Sequence, residues 1–272
     1  MTMKKITLSL MLLGAMYSIN AQKINLGKAA GMVSNGAKAL TFTNEDAIKL
    51  SKESVDWMDK NNAVAGPKDP YTVRLNKLFG KHKSQDGLNL NYKVYKVKDI
   101  NAFACADGSV RVFSSLMDIM TDNELLAVIG HEIGHVKNQD TKDAMKSAYL
   151  KAAALDAASS ASAAVATLNE SQIGKMANAF LDASHSKKQE SEADTYSYDF
   201  MKVNKYDVVG AYTAFKKLGL LSEGSTQTNF EKMFNSHPDS NKRAEAIKKK
   251  AEKDGLWKDP GTVSLPTAKL TK

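Results

Sequence analysis

Residues 129–140 read IGHEIGHVKNQD, and no other stretch of the 272-residue chain narrows the possible folds so sharply. His131 and His135 stand four positions apart, with Glu132 directly after the first. Upstream, TDNE has the form of a capping box, with Thr121 as the cap and Glu124 three residues on. Leu126, Ile129, Ile133 and Val136 follow at steps of three, four and three, which makes one apolar face. The spacing therefore predicts an amphipathic helix that turns both imidazoles to one side.

Such a pair suits Zn²⁺, whose bonds to histidine nitrogen are about 2.0–2.1 Å long. Glu132 is too close in sequence to ligate comfortably. It is well placed to take a proton from a water that zinc acidifies. Two histidines do not complete a catalytic zinc site, which takes three protein ligands and keeps one position open. A metzincin pattern would put Gly and His at the positions held here by Asn138 and Thr141, so that class fails. A carboxylate from a later helix is the alternative. QESEAD offers Glu190, Glu192 and Asp194, of which Glu190 and Asp194 share a helical face, and spacing alone does not choose among them. Gly130 and Gly134 each cost a helix about 1 kcal/mol relative to alanine, which suggests close approach by another element. Asp140 is expected to support the site or end the helix.

The rest of the chain reads as mostly helical with a little sheet. Residues 1–21 have the form of a cleavable secretory signal, with Lys4 and Lys5, an apolar middle, and Ala21 before the cut. Residues 22–66 read as a helical leader, closed by Gly66, Pro67 and Pro70. LNLNYKVYKVKD and DGSVRVFSS alternate like two strands of a small sheet. The Ala/Ser-rich run KAAALDAASSASAAVA reads as a closely packed helix and a poor membrane span. One large unit is expected over 67–254, with a loose tail over 255–272.

Composition excludes several functions. Removing Lys4 and Lys5 takes the formal charge from +8 to +6, still basic, but the lysines are scattered, so nucleic acid is not an expected partner. After the signal no segment is apolar enough to span a membrane. The single cysteine, Cys105, rules out both an internal disulfide and a cysteine-rich zinc cluster.

The stretch NAFACADGSVRVFSSLMDIMTDNELLAVIGHEIGHVKNQD, followed by KKQESEADTYSYDFM and then SHPDSNKR, resembles the HtpX/Oma/CAAX-prenyl-protease family, metallopeptidase family forty-eight. The resemblance covers roughly residues 70 to 250. It implies an α+β, mainly α-helical, zincin-like domain of gluzincin type, with a small antiparallel sheet and an active-site helix. It also implies a zinc metalloendopeptidase with one Zn²⁺ per chain. By position, Glu190 becomes the third ligand beside His131 and His135, with Glu132 as the catalytic base. Asp194 becomes the residue that orients a ligating histidine. His237 becomes the group that binds the oxyanion or reaches the metal in the resting enzyme, and Arg243 anchors that segment.

The strand over 108–113 would be the edge that receives an extended protein or peptide substrate. Unlike membrane-spanning members, this chain looks like an exported one, periplasmic or secreted, acting on unfolded or misassembled envelope proteins. A chaperone-like or substrate-binding protein with little proteolysis is the alternative. Cys105 would approach the metal if the NAFA loop flanks it as in relatives. His82 and His185 fall in no motif and are expected to be structural.

Overall fold

The computed structural model describes residues 42–155, 168–224 and 231–266. The expected signal, the first half of the leader and most of the Ala/Ser-rich run lie outside the described residues. The fold is α+β and mainly helical, as expected.

Helix α1 (Asn44–Asn61) starts at a capping box in which Thr43 and Asp46 satisfy each other's backbone N–H. Helix α2 (Pro70–Phe79) is capped by Asp69 and opens on a proline, which needs no amide partner there. A short hairpin of β1 (Ser84–Gln85) and β2 (Leu88–Asn89) precedes β3 (Asn91–Tyr95), β4 (Ala102–Ala104) and β5 (Ser109–Phe113). Then come α3 (Ser114–Ile119), α4 (Asp122–Lys137), α5 (Asp140–Leu155), α6 (Glu170–Leu181) and α7 (Lys187–Val203). Helices α8 (Val209–Gly224), α9 (Glu231–Ser236) and α10 (Ser240–Lys253) follow.

The main sheet has the order β3-β5-β4. Strand β4 folds back on β5 antiparallel, with Ala102 opposite Val112 and Ala104 opposite Val110. The hairpin turns at Gly108, whose φ of 84° and closeness to the Asn89 carbonyl exclude a side chain. Strand β5 then inserts beside β3, parallel to it, with Tyr92 opposite Val110. The sheet is therefore mixed, not antiparallel throughout.

It also follows that residues 108–113 do not form the edge. Strand β5 lies between β3 and β4, so the edge strand that lines the site is β4, whose three residues are buried like the five of β5. Arg111 gives β5 an alternating, half-exposed look in sequence. In the structure it is 2% exposed and pairs with Asp59 of α1 at 2.8 Å. Burial alone would raise the Asp59 carboxyl, but hydrogen bonds from Arg111, Lys93 and Tyr95 outweigh it and hold the pKa at about 2.

The sheet separates two apolar clusters. Val94, Ala102, Ala104, Val110 and Val112 face a large core with α2, α4, α7, α8 and α10. Tyr95, Phe103, Cys105 and Phe113 face a smaller one with α1, α5 and α6. The expected loose tail is anchored as far as it is described: Trp257 meets Tyr212 edge-on at 4.9 Å, and Leu265 leans on the main core. No helix among the described residues is long and apolar enough to cross a membrane.

Candidate metal centre

Helix α4 begins at the expected capping box, with the Thr121 amide donating to Glu124 at 2.7 Å and the Glu124 amide to Thr121 at 3.4 Å. Lys217 of α8 pins the same carboxylate at 2.7 Å, so the start of the helix is fixed twice. Helix α7 packs directly across α4, and the two glycines allow it. A Cβ on Gly130 would meet the Phe200 ring at 3.1 Å, and one on Gly134 would meet the Ala193 backbone at 3.1 Å. Ser197 also donates to the Ala127 carbonyl at 2.6 Å. Because Ser186 caps α7, Glu190 falls in its first turn and is carried to the imidazoles of α4.

His131, His135, Glu190 and His237 gather their ligand atoms within 4.8 Å of one another, and all four residues are buried. His131 Nε2 lies 3.0 Å from His135 Nε2, and His135 Nε2 lies 3.3 Å from Glu190 Oε1. His237 Nδ1 lies 3.0 Å from Glu190 Oε1 and 3.3 Å from His131 Nε2. Ligands tetrahedrally disposed at about 2.0–2.1 Å from a zinc ion would be about 3.3 Å apart, so the spacing fits such an ion.

The outer nitrogens strengthen that fit. His131 Nδ1 is 3.0 Å from Asp194 Oδ1, and His135 Nδ1 is 2.9 Å from Asp140 Oδ2. Each carboxylate holds the ring proton on Nδ1, so both inner nitrogens present lone pairs to each other. Only a proton or a cation between them relieves that contact. Burial, then the charges of Arg243 and His135, lowers the His131 pKa to about 3. Burial pushes His135 the same way, but hydrogen bonds to Asp140 and Glu190 outweigh it and raise its pKa to about 9. In the metal-free protein a proton on His135 therefore stands in for the cation.

Arg243 of α10 closes the back of the centre. It donates to Asp194 through Nε at 2.9 Å and Nη2 at 2.6 Å, while Nη1 lies 2.5 Å from Glu190 Oε2. Its guanidinium sits 4.2 Å from the centroid of the Phe215 ring. Burial works against both carboxylates, yet the imidazoles of His131, His135 and His237 hold Glu190 below its usual range, and Arg243, then His131, do so for Asp194. Glu132 differs: burial raises its pKa, and Oε1 has no hydrogen-bond partner. His237 Nε2 lies 3.6 Å from that oxygen.

A narrow cleft runs past these groups. Asn101, Ala102, Phe103 and Ala104 of the β4 segment line it together with Glu132 and His135 of α4 and with His185, Ser236 and His237. The amide of Phe113 donates to Asn101 and that of Cys105 to Ser109, so by alternation the polar groups of Ala102 and Ala104 face away from β5.

All seven residues singled out from sequence thus meet at one place: His131, Glu132, His135, Glu190, Asp194, His237 and Arg243. Asp140 joins them. Cys105 does not: among the described residues it is absent from the ligand group, and it lies in the smaller apolar core, where burial pushes its thiol pKa up. His82 is structural, bonded to Tyr206 at 2.7 Å. His185, expected to be structural as well, stacks on His135 with ring centroids 3.9 Å apart. Its only sequence signal is its place directly before the cap of the Glu190 helix.

Comparison with known proteins agrees with this geometry. Residues 76–251 match the model of peptidase family M48. The chain is 38% identical over 230 residues to metalloprotease LoiP of Escherichia coli, covering 83% of this chain and 90% of LoiP. It is also 38% identical to metalloprotease YcaL of the same organism, over 84% of this chain and 89% of YcaL. Protease HtpX of Nitrosococcus oceani is 28% identical over 141 residues, half of this chain and 47% of HtpX.

Proposed function

The chain belongs to peptidase family M48 and is a metalloprotease, and from that premise we propose that it is a zinc endopeptidase whose ion is held by His131, His135 and Glu190. The observation that carries the choice of ligands is the 3.0 Å contact between two imidazole nitrogens whose opposite nitrogens are each held by a carboxylate. Zinc, when bound, polarises the scissile carbonyl and acidifies a water.

The chain's own residues do the rest. Glu132, buried and with its proton affinity raised, accepts the proton of the attacking water and passes it to the leaving amine. His237, which lines the same cleft as β4, donates to the oxygen that gains charge. Arg243 keeps Asp194 ionised and, with Nη1 beside the Glu190 carboxylate, holds both carboxylates in place, so the ligands need not reorganise.

Substrate adds to the β4 edge as an extended strand, using the outward-facing groups of Ala104 and the Ala102 carbonyl, while the Ala102 amide is held by Asn101 Oδ1 at 2.9 Å. Recognition through backbone favours unfolded chains over particular sequences. With the signal-like residues 1–21, this supports export to the periplasm or beyond, and unfolded or misassembled envelope proteins as substrates.

The test is cleavage of an unfolded protein such as reduced casein. A chelator should abolish cleavage and added zinc restore it. Glu132→Gln should lower turnover by about 10²-fold or more while still binding one zinc per chain. Activity that survives both treatments overturns the assignment.

A further inference from the structure

His185 sits in the cleft without a role in the chemistry just described. Its backbone is fixed, because its amide donates to the Ser236 carbonyl at 3.3 Å and the next residue caps α7. Its ring is half-buried, stacked on His135 at 3.9 Å and 14°, with the His237 ring 5.5 Å away. Among the described residues no hydrogen bond engages its ring nitrogens, although Asp140 and His135 offer atoms within 4.8 Å. Stacking alone needs only an aromatic ring, and phenylalanine would supply it. A half-buried imidazole without partners carries a desolvation cost that a bound ligand can offset.

An extended peptide supplies what is missing. Successive residues of a strand point their N–H and C=O groups to opposite sides. A chain paired with β4 therefore turns every second set of backbone groups away from that strand, and His185 lines the same cleft. We propose that His185 hydrogen-bonds the backbone of bound substrate on the side turned away from β4, so that the peptide is gripped on both edges. An imidazole can both donate and accept, so it serves either an amide or a carbonyl. The inference rests on the peptidase reading above. It adds a contact that favours an extended backbone of any sequence.

Two kinds of substitution separate this role from mere packing. His185→Phe keeps the stack and removes the polar atoms, whereas His185→Asn and His185→Gln keep a donor and an acceptor and remove the ring. Kinetics on one internally quenched peptide should show KM rising roughly tenfold for His185→Phe with kcat nearly unchanged. The better of the two amide variants should stay within about threefold of wild type, a span set by one hydrogen bond kept or lost. Zinc content should remain one per chain throughout. An unaltered KM in His185→Phe, equal impairment of all three variants, or loss of a zinc equivalent would each overturn the role. A wild-type protein that cleaves nothing overturns the peptidase reading first, and this inference with it.

Discussion

His131 Nε2 and His135 Nε2 face each other across 3.0 Å, each held in place by a carboxylate on its far nitrogen. Those carboxylates come from different places: Asp194 from the helix that also supplies Glu190, and Asp140 from the start of the helix after α4. Asp194→Asn and Asp140→Asn should each weaken zinc binding by about 10- to 100-fold, as loss of such support does elsewhere. Competition with a chromophoric chelator measures this. Unchanged affinity in both variants would mean that the rings are oriented by packing alone.

The proton on His135 makes the stripped protein sensitive to pH. Its pKa of about 9 lies above the ordinary histidine value near 6.5, so its contribution to stability is complete below about 6.5 and fades as pH rises to about 9. The chelator-treated protein should therefore lose melting temperature across that window. The zinc-loaded protein should not, since metal has displaced the proton. Zinc uptake near pH 7.5 should also release a proton, readable with a pH indicator in weak buffer.

Gly134 and Gly130 should differ in their response to a methyl group. Alanine at 134 would press on the Ala193 backbone and the Tyr196 Cβ, both at 3.1 Å, and neither can rotate away. At 130 the obstacle is the edge of the Phe200 ring, also at 3.1 Å, which can tilt. Gly134→Ala should cost about 1–3 kcal/mol in urea denaturation despite the better helix propensity of alanine. It should also lower zinc affinity, because α7 carries Glu190. Gly130→Ala should cost less, and the reverse order would show that α7 is free to shift.

The Arg111–Asp59 pair ties the leader helix to the sheet. Asp59→Asn leaves the buried Arg111 guanidinium uncompensated and should cost roughly 3 kcal/mol, whereas Arg111→Met should cost less, because Lys93 still pairs with Asp59 at 2.7 Å. Since the Asp59 pKa is depressed to about 2, its contribution is present above about pH 4 and lost as pH falls toward 2. Acid denaturation of Asp59→Asn should lack that component.

The active-site helix was legible because its signals are local: a capping box, an apolar period, and two histidines one turn apart. The mixed sheet was not. Strand β4 has three residues, too few for a period, and β5 alternates like a half-exposed strand only because Arg111 is buried against a residue 52 positions away. That long-range pair also hid which strand is the edge. Glu190 and Asp194 could be narrowed to one helical face from spacing, but singling them out required the resemblance. His185 left no signal beyond its place before the cap of α7, because its neighbours, His135 and Ser236, are brought to it by the fold.

Arg243 lies 112 residues after His131, and its guanidinium compensates the two buried carboxylates of the centre. While the chain is being synthesised, the helices bearing His131, His135 and Glu190 emerge long before the arginine that lets them sit together. A nascent chain that ends before α10 lacks the guanidinium that binds Asp194 and sits beside Glu190, which disfavours burying Asp194 in a dry interior. The order of residues along the chain thus sets an order of assembly: the candidate metal centre should form fully only once α10 has been made.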